Sequence, residues 1–240
     1  MSETEPTPAV RDQLKRVSVA TLTTCLFKRG FRNQFIQNVS PLNPAAGPMV
    51  GEAFTLRTIP AREDLSTPAV IGERTYPQRA AIEACPAGHV LVIDSRKDAR
   101  AASGGDILMT RLMQRGVAGC VTDGGMRDCP EIATMPFPVY QQRPAPPISL
   151  IQHHAIEMNV PIACGDAPVF PGDIIVGDGE GVVVLPAHLA NDIAAEAFEM
   201  TVYEDFAIEH VREGSPIFGL YPATEESREK FSIWRKERGR

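Results

Sequence analysis

Between His89 and Tyr140 the chain alternates at short intervals between segments suited to a buried strand and segments suited to an amphipathic helix. "HVLVID" is an apolar run of strand length. "GGDILMTRLMQRG" opens on two glycines, spaces Ile107, Leu108, Leu112 and Met113 along one helical face, and stops at Gly116. "VAGCVTDGG" is the next strand with its exit loop, "DCPEIATM" a short helix, and "FPVY" another strand. Strands separated by single helices must run parallel, because each helix carries the chain back to the edge it left. This predicts an α/β protein whose ligand site lies beyond the carboxyl ends of the strands, where the strand-to-helix loops converge.

The flanking segments extend that frame. Val10, Leu14, Val17, Leu22 and Leu26 predict helical segments that end at Gly30. "MVGEAFTLRTI" has the alternation of a strand and runs into the Pro60 turn, and "YPQRAAIEACPAG" reads as a short helix. After the Pro-rich loop "QQRPAPPI", His153 and His154 are expected in a helix, where adjacent side chains diverge. "PGDIIVGDGEGVVVLP" is a hairpin signal, two apolar runs joined by Asp178-Gly179-Glu180-Gly181. "AHLANDIAAEAFEMTVYEDFAIEHVREG" predicts a long helix. The charged tail is helical as well, with Trp234 and Phe231 packing on the body or on a neighbouring subunit. The expected organisation is a loosely packed lead-in over 1–17, one main domain over 18–190, and a C-terminal helical extension over 191–240 that serves subunit packing.

Charge and cysteine content narrow the function classes. The formal net charge of −6 argues against a nucleic-acid binder. No apolar run approaches the roughly 18 residues that span a bilayer, and the acidic, Pro-rich start lacks a signal-peptide pattern. The five cysteines are scattered and never form CxxC, so a disulfide framework or zinc site is not expected and a reducing, cytoplasmic setting is. Cys129 is read as structural. His89 and His188 are read as strand-flanking, and Asp178 and Glu180 as turn residues.

Three side chains stand out at the predicted ligand edge. Asp106 follows Gly104-Gly105 at a helix start, and Arg127-Asp128 ends "DGGMRD"; twenty residues, one helix and one strand, separate Asp106 from Arg127. Such a crossover returns the chain to the same edge, so the three can meet. The amides of Ile107 and Leu108 at the helix start suit a carboxylate, with Gly105 permitting close approach. Arg127 can hold an anion or counter a developing oxyanion. Asp128 offers a hard oxygen to Mg²⁺ or Mn²⁺, with Asp106 holding a water of that ion. The same residues also fit a purely structural reading: Asp128-Cys129-Pro130-Glu131 matches a capping box, Asp106 can cap its own helix, and Arg127 can pair with either acid.

"GGDILMTRLMQRGVAGCVTDGGMRD" resembles the central signature of the RraA-like family, and "VGEAFTLRT", "HVLVID" and "PGDIIVGDGEGVVVLP" extend the likeness over most of 18–190. That family includes 4-hydroxy-4-methyl-2-oxoglutarate/4-carboxy-4-hydroxy-2-oxoadipate aldolases and regulators of ribonuclease activity. The resemblance implies a three-layer β/β/α swivelling-domain fold in homotrimers or homohexamers, and a divalent-metal-dependent lyase acting on a 2-oxo acid, with oxaloacetate decarboxylation as a side activity. It assigns Asp128 to the metal, Asp106 to metal-bound water, Arg127 to the pyruvyl oxygens, and the Ile107 and Leu108 amides to the substrate carboxylate. It also implies an acid from a neighbouring subunit's C-terminal helix, Glu199 or Glu204. No Schiff-base lysine is needed. The alternatives are a non-enzymatic regulator that binds a ribonuclease and a metal-dependent dehydratase on a sugar-derived 2-oxo acid. Arg62, Glu63, Arg74 and Arg79 are candidates for contacting the far end of a substrate.

Overall fold

In the computed structural model the described residues are 7–239. In chain order the helices are α1 (Pro8–Leu14), α2 (Val19–Lys28), α3 (Pro77–Ala84), α4 (Asp106–Gln114), α5 (Cys129–Ile132), α6 (Ala190–Arg212) and α7 (Glu225–Glu237). The strands are β1 (Phe35–Ile36), β2 (Ser40–Pro41), β3 (Met49–Pro60), β4 (Val90–Asp94), β5 (Gly119–Thr122), β6 (Gly125–Met126) and β7 (Val139–Gln141). They continue with β8 (Arg143–Pro144), β9 (His153–Met158), β10 (Ile162–Cys164), β11 (Ala167–Val169), β12 (Ile174–Gly177) and β13 (Val182–Leu185).

The sheet runs β1-β13-β12-β3-β4-β5-β7-β2, with β9 also paired to β3. β3 is the hinge of the design. Its first residues pair antiparallel with β12, and from Ala53 onward it pairs parallel with β4, with β5 and β7 following in parallel. The predicted parallel core and the separate hairpin therefore belong to one continuous sheet that folds over itself along β3.

Strand alternation divides the core into layers. Leu91, Ile93 and Cys120 face α3 and α4, where Ile82, Met109 and Leu112 meet them. Val90, Val92 and Val121 face the opposite way, onto Ile175, Val182 and Val184 of the hairpin. The hairpin's other side, Ile174, Val176, Val183 and Leu185, is covered by Leu14, Leu22, Leu26, Ile193 and Ala197. Strands buried on both faces must be apolar throughout, which is why "VLVI" and "VVVL" lack polar alternation. The expected helix-on-two-β-layers sandwich is present, and α1, α2 and α6 form an additional cover on its outer β face.

Two expectations are corrected here. His153 and His154 lie on β9, not a helix, because the edge of β3 left free beyond its pairing with β12 recruits the segment. Residues 8–14 of the lead-in form a docked helix, with Leu14 fully buried and the Arg11 guanidinium paired with the buried Glu52; residues 1–6 lie outside the described part. Of the two packings expected for Trp234, the structure shows the one within its own chain, against Phe206 and Phe231. The hairpin turn is as expected, closed by Asp178 N–H to Gly181 O at 3.0 Å, with the Asp178 carboxylate accepting from Glu180 and Val19. Among the described residues no helix is long and apolar enough to cross a membrane.

Candidate active site

The two segments that carry the candidate residues lie side by side. Ser103 N–H donates to Gly125 O at 2.7 Å and Arg127 N–H to Gly104 O at 3.1 Å, a short ladder that brings the start of α4 against the end of "DGGMRD". Beneath it three buried hydroxyls form a triangle: Ser95 Oγ to Ser103 Oγ at 2.7 Å, Ser103 Oγ to Thr122 Oγ1 at 2.7 Å, and Ser95 Oγ to Thr122 Oγ1 at 3.0 Å. Thr122 Oγ1 also accepts the Gly124 N–H at 3.0 Å. Each hydroxyl can donate once and accept twice, so the triangle satisfies itself without water. It ties the exits of β4 and β5 to the turn that precedes Asp106.

Asp123, first residue of the opening loop, is a second buried fastener. Its carboxylate accepts from Ser95 N–H at 2.7 Å, Lys97 N–H at 3.0 Å and Gly165 N–H at 3.1 Å. Burial pushes its acidity toward the neutral form, against the three amides that favour the carboxylate. Arg96 and Lys97 both sit at φ 58°, so the loop it holds is strained and needs holding. Nothing in the sequence flagged Asp123 apart from its place in the motif.

Above these fasteners lies an open cavity of about 460 Å³, lined by Asp106, Ile107, Leu108, Arg127 and Asp128 together with Arg79 and other residues. Arg127 Nε donates to Asp128, 3.2 Å from Oδ2 and 3.4 Å from Oδ1. Both press on Gly105, where an added Cβ would stand 2.5 Å from Asp128 Oδ2 and 2.9 Å from Arg127 Cγ. Gly105 is extended (φ −142°), so glycine is required there by this approach and not by its backbone.

The capping alternatives do not hold. Asp128 occupies the N-cap position of α5 but is left-handed (φ 56°) and its side chain makes no capping bond. The N-cap of α4 is Gly105, and Asp106 is its first helical residue. A non-glycine in this conformation costs about 1 kcal/mol or more, and such strain clusters at functional sites. The helix-start amides are engaged: Ile107 N–H donates to Asp106 Oδ1 at 2.7 Å, and Leu108 N–H to Gly105 O at 3.1 Å. A ligand carboxylate at this helix start must compete with Asp106 for the Ile107 donor.

Of the other candidates, Arg79 lines the cavity, whereas Arg62 pairs with Asp64 at 2.7 Å. Glu199 pairs with Arg235 at 2.6 Å and Glu204 accepts from Thr21 at 3.2 Å; neither lines the cavity of its own chain. Glu131, three residues after Asp128, also lines it, as do Gln78, Ile148 and Ser149, for which sequence spacing gave no signal because they arrive from separate elements. Cys129 donates to Met126 O at 3.3 Å, and burial pushes its thiol up, which fits a structural role. All five cysteines are unbridged.

The donor set suits a hard divalent ion held sparsely. Asp128 supplies a part-exposed carboxylate facing the cavity. Among the described residues no group of three or more His, Cys, Asp or Glu side chains could cage an ion. An ion bound here would keep most of its water, as Mg²⁺ prefers.

The RraA-like family profile, described as Aldolase/RraA, matches residues 7–184. The chain belongs to this family. A Halalkalibacterium halodurans relative, provisionally named a 4-hydroxy-4-methyl-2-oxoglutarate aldolase, is 35% identical over 127 residues, 52% of this chain and 59% of its own length. The 4-hydroxy-4-methyl-2-oxoglutarate aldolase of Thermus thermophilus is 30% identical over 108 residues, 45% of this chain and 65% of that protein. The matches thus span less than two thirds of either relative. Among solved structures, Streptomyces coelicolor RraAS2, described as an unusual member of the RNase ES inhibitor RraA family, has a TM-score of 0.74 at 29% identity, over 85% of this chain and 97% of its own. An uncharacterised Pseudomonas syringae protein reaches 0.77 at 22% identity, over 90% and 98%, and shares the RraA-like fold.

Proposed function

We propose that this RraA-like chain is a divalent-metal-dependent lyase that cleaves a 4-hydroxy-2-oxo acid to pyruvate and a carbonyl product. The observation that carries this reading is the convergence of Asp106, Arg127 and Asp128 on one cavity, with Asp128 strained and uncapped beside Gly105. The aldolase names of two relatives support it.

Asp128 would hold Mg²⁺ or Mn²⁺ directly and Asp106 would hold one of its waters. The ion would supply Lewis acidity toward the 2-oxo group. The substrate carboxylate takes the Ile107 N–H from Asp106 and sits beside Gly105 and Leu108. Asp106, released, accepts the 4-hydroxyl proton through a water. As the 4-oxygen closes to a carbonyl and the C3–C4 bond breaks, that bond's electron pair forms the C2–C3 double bond and the carbonyl π pair moves to the 2-oxo oxygen, to which Arg127 donates hydrogen bonds as it gains charge. The resulting enolate takes a proton at C3 to give pyruvate. Oxaloacetate decarboxylation passes through the same enolate and is the expected side activity. A second copy of the chain, in a homotrimer or homohexamer, would bring Glu204 or Glu199 to the ion's water shell. Glu204 is the freer of the two, since Glu199 is held by two bonds to Arg235.

EDTA is expected to abolish pyruvate release and Mg²⁺ or Mn²⁺ to restore it, and Arg127→Ala to remove turnover while the fold survives. Turnover that resists EDTA, or an active Arg127→Ala, would reject the mechanism. The likeness to RraAS2 over most of both chains supports a second reading, a protein that binds and restrains a ribonuclease. Nuclease binding unaffected by Arg127→Ala, with no lyase activity on any 2-oxo acid, would favour it.

A further inference from the structure

The cavity's two arginines differ in their partners. Arg127 is paired with Asp128, whereas Arg79 makes no hydrogen bond or ion pair within the described residues, although Asp106, Asp128 and Glu131 line the same space. Arg79 is half-buried on the first turn of α3. The turn that carries it is anchored by its neighbour: Gln78, 7% exposed, donates from Nε2 to Ser103 O at 2.7 Å, which ties this turn to the residue leading into Gly104. A planar guanidinium on an anchored turn, partly out of water and without an internal anion, can take one from a ligand, and its fork matches a carboxylate. Ile71, Leu108 and Ile148 add apolar wall to the same cavity, suited to a short carbon chain.

We infer that Arg79 is the specificity-determining residue that binds the second carboxylate of a dicarboxylic 4-hydroxy-2-oxo acid, the class after which the aldolase relatives are named, and that this residue is what disfavours a neutral tail. This rests on the reading above, in which the first carboxylate sits at the start of α4. Arg79 then sets the length and charge of what can bind, while the chemistry stays with Asp106, Arg127 and Asp128.

The test compares wild type, Arg79→Ala and Arg79→Lys in Mg²⁺ buffer on 4-hydroxy-2-oxoglutarate and its neutral-tailed counterpart 4-hydroxy-2-oxopentanoate. Calorimetry of 2-oxoglutarate and 2-oxobutanoate binding is run alongside. Arg79→Ala should lose about 10- to 100-fold in kcat/KM on the dicarboxylate, carried by KM, and change less than about threefold on the neutral substrate, with Arg79→Lys recovering part of the loss. Equal losses on both substrates, or none on either, would overturn the assignment. If wild type cleaves neither but binds 2-oxoglutarate in an Arg79-dependent way, the lyase reading falls and the role of Arg79 stands. If 2-oxoglutarate affinity is indifferent to Arg79, the role falls whatever the turnover.

Discussion

Replacing Gly105 by alanine isolates the close approach on which the site depends. The added Cβ would stand 2.5 Å from Asp128 Oδ2, 2.9 Å from Arg127 Cγ and 3.3 Å from Arg127 Cδ, where ordinary contact begins at 3.4 Å. The carboxylate oxygen must therefore retreat by about 0.9 Å, the difference between 3.4 and 2.5. Asp128 Oδ2 is the end of its side chain and Arg127 Cγ can swing about χ1, both side chains being part-exposed, so the fold should survive. Alanine adopts φ −142° freely, and its unfolded-state advantage of about 0.4–1 kcal/mol offsets what it loses as an N-cap. Stability should change by less than about 1 kcal/mol. Function should not be spared, because a misplacement near 1 Å at a reacting centre costs on the order of 100-fold. The assay is pyruvate release coupled to lactate dehydrogenase, with thermal unfolding in parallel and Mg²⁺ affinity by calorimetry. Gly104→Ala is the control: its Cβ would meet only the flexible ends of Met109 at 3.2 Å and of Leu108 and Met126 at 3.7 Å. Gly105→Ala with turnover and ion affinity within about threefold of wild type would mean that the carboxylate's position against Gly105 has no bearing on the chemistry.

Thr122→Val keeps the shape but leaves the Gly124 N–H without its acceptor and opens the hydroxyl triangle; it should cost about 2 kcal/mol, read by denaturant unfolding, and Thr122→Ser should restore most of it. Arg11→Ala strands the buried Glu52 carboxylate and should cost about 2 kcal/mol, less than the roughly 3–5 of a fully buried pair because Arg11 is part-exposed; an unchanged midpoint would mean that this ion pair contributes nothing to stability. Burial, with Arg96 adding to it, pulls His153 below its ordinary 6.5. The unfolded chain then takes up a proton that the folded chain refuses, so the stability this neutral ring provides is complete above pH 6.5 and declines as pH falls toward the depressed value. His153→Phe should flatten that part of the stability–pH curve, and an unaltered slope would show that the ring is not the group responsible.

The site was legible in proportion to how much of it lies on consecutive crossovers. Asp106, Arg127 and Asp128 could be gathered from spacing, because a helix and a parallel strand have nearly fixed reach. Gln78, Ile148 and Ser149 could not, since the packing of α3 and of the segment before β9 on the core brings them in. His153 and His154 take a strand where a helix is expected for a related reason: their local pattern allows either element, and the unpaired edge of β3 decides for a strand.

The sequence by itself determined the α/β class, the parallel core, the hairpin, the long terminal helix and the family signature, since each depends on periodicity or turn chemistry within a few residues. Only the tertiary structure decided that β3 would join both halves into one sheet, that α1 would dock beside α6, and that Asp128 would press on Gly105 instead of capping a helix. Those outcomes depend on which burial and hydrogen-bonding alternatives win when distant segments compete for the same neighbour, and local spacing holds no record of that competition.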